Sequence, residues 1–363
     1  MFYGVIFLSE RSNIVTFQAE QLTEFGKEVL MGLGMTEGDA LLASDSLVRA
    51  DLEGNESHGI SRLPIYAKRM KEGRISANAN VSFEQLGSIL RVDGNNGLGQ
   101  VVAYRAIEQA IPLAREDGMI GIFIRNSNHF GTAAYFCQQA CKQEMALIAM
   151  TNSPPGIAPW GGKKAFLGTN PLAFGFPSRS GPPVIIDMSS SVVARGKIIL
   201  ANKTGESIPQ GWAMDENGVE TTSPAAALRG AVLPLGGAKG YALALAIEMM
   251  CGVLSGAAYG PHVNNLYRDE DPPANVGHSF ILMDIAKWMD MDDYFDLTDQ
   301  LLREMKESPK ASGTDEIFYP GERRSKEYTK RSDAGLTVPL EVVVELKRLG
   351  EEAGIAFPEG VRS

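Results

Sequence analysis

Residues 93–100, DGNNGLGQ, decide between two ways of building an α/β protein. The residues before them, SILRVDG (88–94), alternate like a β-strand, and residues 97–118 form a strongly amphipathic helical pattern. A strand, a glycine-rich turn and a helix in this order are typical of a Rossmann unit. The glycines lack the G-x-G-x-x-G spacing that such a unit requires, however. The stretch therefore predicts an α/β protein without the Rossmann fingerprint.

Further strands and helices follow along the middle of the chain. Two helical patterns lie at about 131–144 and 239–256. Short apolar, β-rich runs predict strands at MIGIFIR (119–125), MALIAMT (145–151), PLAFGFP (171–177), PVIIDMS (183–189) and HSFILMDI (278–285). We expect a central α/β domain over residues 81–289.

Both ends of the chain are mainly helical. The apolar residues Phe17, Leu22, Phe25, Val29 and Leu33 recur at helical spacing and predict a first helix. Thr36 with Asp39 resembles a capping box that opens a second helix. A third helix is predicted from Ser61 to Glu72, and charged helical patterns fill the last 75 residues or so. These ends predict a discontinuous helical lobe from residues 15–80 with 290–363. Residues 1–14 are interpreted as an N-terminal extension.

Composition excludes several classes of protein. The net charge of −10 over 363 residues argues against a nucleic-acid partner, which lysine and arginine clusters would bind. No apolar run reaches the roughly 20 residues that cross a bilayer, so no membrane partner is expected. Three cysteines cannot build a disulfide framework, and the four histidines lack the spacing of metal ligands. A reduced, cytoplasmic compartment and no metal are expected.

Polar clusters lie at the ends of several predicted strands: RNSNHFGT (125–132), TNSPPG (151–156), GTNP (168–171) and DMSSS (187–191). One such cluster could be only a turn, but four of them indicate a ligand site at strand ends. GGAKG (236–240) places Lys239 at a helix N-terminus, where phosphate binding and close packing of two elements are equally good interpretations.

Residues 55–64, NESHGISRLP, contain one of the four histidines. His58 and Arg62 are four residues apart, which puts them on one face if the segment is helical. A histidine beside an arginine is expected to titrate low, and an arginine can hold a carboxylate with two hydrogen bonds. On this pattern alone, a helix cap and a surface ion pair are still favoured, and His129 is equally ambiguous. His262 and His278 are interpreted as structural.

Several long blocks, in order from about Phe17 to the C-terminus, resemble the second, non-Rossmann type of malate/L-lactate dehydrogenases. That family includes ureidoglycolate and sulfolactate dehydrogenases, diketogulonate reductase and cyclic imino acid reductases. The resemblance implies a homodimer and a mostly antiparallel central sheet flanked by helices that binds NAD or NADP. The helical lobe would lie on the substrate side and make dimer contacts. The blocks are ADLEGNESHGISRLPIY, NSNHFGTAAYF, TNSPPGIAPWGGKKAFLGTNPLAFGFP, IIDMSSSVVARGKI, GGAKGYALALAIEMMCGVLSGA and FYPGE.

The resemblance also assigns roles to individual residues. The catalytic residues would be Ser57, His58 and His129, and the substrate contacts would be Arg62, Thr169 and Lys197. The cofactor contacts would be Phe130, Gly131, Thr132, Ala133, Ser153, Asp187, Met188, Ser189, Ala238, Lys239, Gly321 and Glu322.

The predicted activity is hydride transfer between NAD(P) and the C2 carbon of a small anionic 2-hydroxy or 2-oxo carboxylate. A cyclic imino acid reductase is the alternative within the family. Imine-reducing members carry a carboxylate where this chain has Lys197, which favours an oxo acid. A catalytically silent, ligand-binding homologue is the alternative of another class. NAD is favoured over NADP, and the choice between His58 and His129 as proton carrier is open.

Overall fold

The computed structural model describes residues 14–362, so the predicted extension lies almost entirely outside the described residues. Contacts within the chain define two compact units. The first contains the chain up to Lys68 together with Arg324 onwards, and the second is Arg69–Arg323. The functional division predicted at residues 80 and 290 stays a prediction.

Helices and strands alternate along the described chain. The helices are α1 (Ala19–Gly32), α2 (Glu37–Leu52), α3 (Leu63–Lys71), α4 (Gly99–Asp117), α5 (Ala133–Cys141), α6 (Arg195–Thr204), α7 (Pro224–Arg229), α8 (Ala238–Glu248), α9 (Met291–Glu307), α10 (Glu322–Ala334) and α11 (Leu340–Ala353). The strands are β1 (Ile14–Phe17), β2 (Ser82–Leu86), β3 (Ile89–Asp93), β4 (Met119–Ser127), β5 (Met145–Thr151), β6 (Leu172–Phe176), β7 (Val184–Met188), β8 (Ala213–Met214), β9 (Glu220–Thr221), β10 (Ala231–Val232), β11 (Val276–Asp284), β12 (Leu336–Pro339) and β13 (Val361–Arg362).

The first unit combines helices with a small sheet. The Thr36 hydroxyl accepts a hydrogen bond from the Asp39 amide, 3.3 Å away, and so caps α2 as its sequence predicts. Phe17 ends strand β1 rather than opening the first helix, because β1 pairs antiparallel with β12 and β13. The sequence analysis missed this sheet. Its strands are only two to four residues long, and two of them lie more than 300 residues from the first.

The second unit is built on a seven-stranded sheet with the order β2-β3-β4-β11-β5-β6-β7. Only the β3–β4 pair is parallel, and the other five neighbouring pairs are antiparallel. Strand β11 lies between β4 and β5 and is buried along most of its length. The prediction of a mostly antiparallel, non-Rossmann sheet is confirmed.

Helices α4 and α5 cover this sheet with small side chains. Ala103, Ala106, Ala110 and Ala114 recur on one face of α4 and are fully buried. Alanine at these positions lets the helix axis approach the strands closely. Phe136 and Phe280 belong to the same buried cluster as these alanines. The sheet and its two helices therefore give a rigid support for the loops at the strand ends.

The remaining elements of the second unit follow β7. A small sheet with the order β10-β8-β9 accompanies α6 and α7. Helix α8 continues into a π-helical turn, Met249–Leu254. Among residues 14–362, no helix has both the length and the apolar composition that crossing a membrane requires.

Candidate active site

The Ser57–Arg62 segment of the first unit consists of two short 3₁₀ turns rather than an α-helix. The turns are Glu56–His58 and Ile60–Arg62, and extended Gly59 lies between them. The Asp51 carboxyl accepts a hydrogen bond from the Ile60 amide at 2.7 Å. A side chain on Gly59 would collide with that carboxyl. The sequence motif thus needs glycine here because a buried carboxyl fills the space.

Hydrogen bonds around Ser57 select one tautomer of His58. The Ser57 hydroxyl donates to Asn55 Oδ1 at 3.0 Å, and its oxygen lies 2.9 Å from His58 Nδ1. A serine hydroxyl has one proton to donate. Because Ser57 donates it to Asn55, the Ser57 oxygen can only accept a hydrogen bond from His58, which places the imidazole proton on Nδ1. With the Asn55 amide in this orientation, Nε2 of neutral His58 carries the lone pair. Asn55 was not among the predicted site residues.

The charge state of His58 follows from its surroundings. Burial, followed by the positive charges of Arg62 and Arg324, lowers the pKa of His58 to about 4. The imidazole is therefore neutral at pH 7 and able to accept a proton. Arg62 Nε donates to the Ser57 carbonyl at 2.6 Å, which orients the guanidinium. Burial also lowers the pKa of Arg62.

In the second unit, the polar clusters come together at one end of the seven-stranded sheet. Strand β4 ends at Ser127, which is paired with Val276 at the start of β11. His278 is paired with the last residue of β5, Thr151. Leu172, which opens β6, is paired with Met188 at the end of β7. The strands alternate in direction, so the loops after β4, β5 and β7 meet the loops before β6 and β11.

The loop after β4 carries five of the predicted site residues. His129 is half-buried, and its Nδ1 lies 3.4 Å from the Gly131 amide. The Phe130 ring is buried and stacks on His278 with a centroid distance of 4.6 Å. Thr132 and Ala133 form the N-terminus of α5. This loop therefore ends in a buried helix start, which an aromatic stack supports.

The loops after β5 and before β6 are bonded to each other. The Ser153 hydroxyl accepts from the Thr169 amide at 3.1 Å, and the Thr169 carbonyl accepts from the Ser190 amide at 2.9 Å. Asp187 Oδ2 accepts from the Ala134 amide at 3.2 Å, which places a carboxylate at the N-terminus of α5. Ser153, Thr169 and Asp187 are thus brought together by the sheet end, as their positions after strands suggested.

The α8 N-terminus lies beside the same loops. The Leu235 amide donates to the Ser190 carbonyl at 2.9 Å, and Gly237 precedes α8 with a φ of 68°. Ala238 and Lys239 form the first turn of α8, and both are exposed. The predicted helix start at GGAKG is therefore correct.

Five further predicted residues lie around the edge strand β7, in α6 and at the start of α10. Met188 is exposed, and the Ser189 hydroxyl accepts from the Ser191 amide at 3.0 Å. Lys197 is exposed in the first turn of α6. Gly321 lies against the Pro183 carbonyl in a segment whose Pro320 carbonyl accepts from the Ile185 amide. Glu322 accepts from the Tyr319 amide and pairs with Lys306, so its carboxylate holds its own loop together.

Several buried residues support this end of the sheet, and among them His278 is interpreted from the sequence as structural, which is confirmed. His278 bridges the Thr151 and Ser127 hydroxyls, each 2.8 Å from a ring nitrogen, and burial lowers its pKa to about 3. Asn152, Asn170 and Glu248 form a second buried network. A buried glutamate inside the apolar pattern YALALAIEMM was the sequence signal that could have identified the second network.

The fold and these sites define a mixed α/β protein with a polar, glycine-rich end of its central sheet. The family model described as malate/L-lactate dehydrogenase matches residues 17–347. The chain belongs to the malate/L-lactate dehydrogenase family. The resemblance that the sequence blocks indicated is confirmed.

Relatives with named activities cover nearly the whole chain. The malate/(S)-sulfolactate dehydrogenase of Methanothermus fervidus is 39% identical over 90% of this chain and 95% of that protein. The (2R)-3-sulfolactate dehydrogenase (NADP⁺) of Chromohalobacter salexigens is 38% identical over 88% and 93%. The ureidoglycolate dehydrogenase (NAD⁺) of Escherichia coli K12 is 33% identical over 88% and 91%.

Solved structures give the same result. Sulfolactate dehydrogenase from Methanocaldococcus jannaschii has a TM-score of 0.88 at 38% identity, over 95% of this chain and 98% of that one. Δ1-piperideine-2-carboxylate reductase from Pseudomonas syringae is more distant, with a TM-score of 0.80 at 27% identity, over 92% and 99%. The predicted class, a dehydrogenase of the hydroxy-acid type, is confirmed. Within residues 14–362, no three His, Cys, Asp or Glu side chains are grouped to hold a metal ion.

Proposed function

We propose that the chain catalyses reversible hydride transfer between NAD(P) and the C2 carbon of a small 2-hydroxy or 2-oxo carboxylate. The observation that carries this proposal is neutral His58, bonded to Ser57 and followed one turn later by the Arg62 guanidinium. A neutral base and a cation are what the oxidation of a hydroxy acid requires of the protein. Relatives named malate, sulfolactate and ureidoglycolate dehydrogenases support the substrate class.

The donor groups at the sheet end fit a dinucleotide. Helix α8 begins there with exposed Ala238 and Lys239, and the first N–H groups of a helix favour phosphate oxygens. Lys239 adds a positive charge at the α8 N-terminus, while Ser153 and Ser189 add hydroxyls. We assign diphosphate binding to Ala238 and Lys239, and further cofactor contacts to Phe130–Ala133, Asp187–Ser189 and Gly321–Glu322. When bound, the nicotinamide ring supplies or accepts the hydride.

The residues of the Ser57–Arg62 segment would bind the substrate and move its proton. Arg62 holds the substrate carboxylate, because a guanidinium matches the two oxygens of a carboxylate. Nε2 of His58 takes the hydroxyl proton during oxidation and returns it during reduction. Ser57 keeps the ring oriented through Nδ1. His129 is the alternative proton carrier, and Thr169 and Lys197 are assigned to the substrate side.

The chain's assembly and compartment are also proposals. Helix α8 and its π turn are largely apolar after Lys239, yet Leu245, Met249, Val253 and Leu254 are 41–62% exposed. An apolar helix face of this kind supports a homodimer, which light scattering of the purified protein would test. Three buried, free cysteines support a reducing, cytoplasmic location.

A spectrophotometric assay tests the proposed reaction. Pyruvate, oxaloacetate and piperideine-2-carboxylate are each mixed with the enzyme and NADH or NADPH, and loss of reduced cofactor is followed. We expect turnover of an oxo acid and a clear preference for one cofactor. Turnover of the cyclic imine alone would replace this proposal with imine reduction. NADH binding without any turnover would indicate a silent, ligand-binding homologue.

A further inference from the structure

A buried carboxylate at the end of α8 accepts three N–H groups from three different loops. Glu248 is only 3% exposed. Its Oε1 accepts from Asn152 Nδ2 at 3.1 Å and from the Gly260 amide at 2.8 Å, and its Oε2 accepts from Asn170 Nδ2 at 2.7 Å. A carboxylate only accepts, so it fixes which end of each asparagine amide faces it.

The two asparagines pass this constraint to the loops at the sheet end. Asn170 Oδ1 accepts from the Ser153 amide at 3.2 Å, and the Ser153 hydroxyl in turn accepts from the Thr169 amide at 3.1 Å. Asn152 Oδ1 accepts from the Gly277 amide at 3.0 Å. The loop after β5, the loop before β6 and the start of β11 are therefore all joined to Glu248.

Neither asparagine can reverse its amide without losing other bonds. Asn170 Nδ2 also donates to the Ala244 carbonyl at 2.9 Å, and Asn152 Nδ2 donates to the Ala258 carbonyl at 2.7 Å. Asn170 has a φ of 29°, in the left-handed region that non-glycine residues rarely adopt. The backbone of Asn170 is strained, and both polar atoms of its side chain are hydrogen-bonded. This combination indicates that the conformation of the loop is closely controlled.

We propose that Glu248 is a positioning residue for cofactor binding, which sets the predicted cofactor contact Ser153 in place through Asn170. This inference rests on the proposed function, because it needs the sheet end to be the dinucleotide site. The π turn begins at the residue after Glu248, and such turns interrupt α-helices frequently at functional sites. Glu248 itself lies in the buried interior and is not expected to touch the ligand.

The variant Glu248→Gln tests the proposal with little change of volume. Glutamine replaces one acceptor oxygen by an NH₂ group, which then faces an N–H donor of Asn152, Gly260 or Asn170. We expect the dissociation constant of the reduced cofactor, measured by its fluorescence, to rise about tenfold, as expected for losing one hydrogen bond to a charged group. At saturating cofactor, kcat should stay within about threefold of the wild-type value, so that the loss is in binding.

Asp284→Asn is the matched control, because Asp284 is a buried carboxyl at the opposite end of β11. We expect the control to change the melting temperature without changing the cofactor dissociation constant. Equal cofactor binding by wild type and Glu248→Gln, or equal weakening in the control, would overturn the inference. A wild-type protein that binds neither NADH nor NADPH would instead overturn the proposed function. If Glu248→Gln does not fold, Glu248→Asp is tested instead, and the dissociation constant of the reduced cofactor should again rise. The shorter side chain of aspartate withdraws the acceptor oxygens from Asn170.

Discussion

The Ser57–Arg62 segment and the sheet-end loops place functional groups in different ways. The hydrogen bonds that join Ser57 to Asn55, His58 and Arg62 connect residues no more than five apart. At the sheet end, Gly277 bonds to Asn152 across 125 residues and His278 bonds to Ser127 across 151. The bonds among the predicted site residues are therefore local in the first region, whereas in the second they depend on the folding of the whole sheet.

This difference predicts how each region responds to change. A substitution in the short segment should remove one chemical role and leave the rest of the protein intact. A substitution in the sheet-end network should shift several loops at once. Substitutions in the Ser57–Arg62 segment are therefore best suited to testing the catalytic step, and substitutions at the sheet end to testing ligand binding.

The largest effect is expected from replacing the proton carrier. His58→Asn should lower kcat by about 10² to 10⁴-fold, the usual contribution of general acid–base catalysis. Because the pKa of His58 is lowered to about 4, the wild-type kcat/KM for hydroxy-acid oxidation should fall only below about pH 4. That acidic limb should be absent from the His58→Asn profile.

Two companion variants sharpen this test. His262→Asn changes an exposed histidine of a 3₁₀ turn and should leave the rate unaltered. His129→Asn should retain the acidic limb. If His129→Asn instead loses the limb and His58→Asn keeps it, the proton role moves to the sheet-end region. A loss below about 10²-fold in both variants would contradict acid–base catalysis by either histidine.

A smaller effect is expected at the carboxylate contact. Arg62→Lys keeps the positive charge but loses the planar pair of donors, so KM for the oxo acid should rise about 10- to 100-fold. Steady-state kinetics with saturating cofactor would measure this, and kcat should change less than KM. Arg348→Lys, an exposed arginine on α11, is the control. An unchanged KM in Arg62→Lys would remove Arg62 from the substrate site.

The same difference explains how much the sequence could predict. The Thr36 cap and the α8 N-terminus were predictable because neighbouring residues create them. The Ser57–His58–Arg62 group was indicated only by the family resemblance, because its pattern alone favoured a helix cap and a surface ion pair. The alternation of apolar runs and polar clusters also predicted the strands and the loops after them. Glu248 and Asn152 could not be assigned, and the structural role of His278 was predicted without its partners, because those partners lie about 100 or more residues away. The β1-β12-β13 sheet was missed for the same reason.

Asp51 provides the smallest and most specific test, since it links the Ser57–Arg62 segment to stability. Burial raises the pKa of Asp51 to about 7; Glu56 adds to the rise, and the Ile60 amide and Arg331 oppose it. Between about pH 4 and 7, the folded chain keeps a proton that the unfolded chain has released. Raising the pH through this window therefore destabilises the fold, by up to about 1.4 kcal/mol per pH unit.

His58 acts in the opposite direction, because its pKa is lowered from 6.5 to about 4. Between these values the unfolded chain binds the extra proton, so the contribution of His58 to stability rises with pH. Asp51→Asn removes the titrating carboxyl whose effect on stability opposes that of His58. The asparagine oxygen can still accept a hydrogen bond from the Ile60 amide. Its free energy of unfolding in urea, relative to wild type, should increase from about pH 4 to pH 7. A difference that stays constant over this range would mean that Asp51 is already ionised in the folded protein, and that the turn is held by a charge.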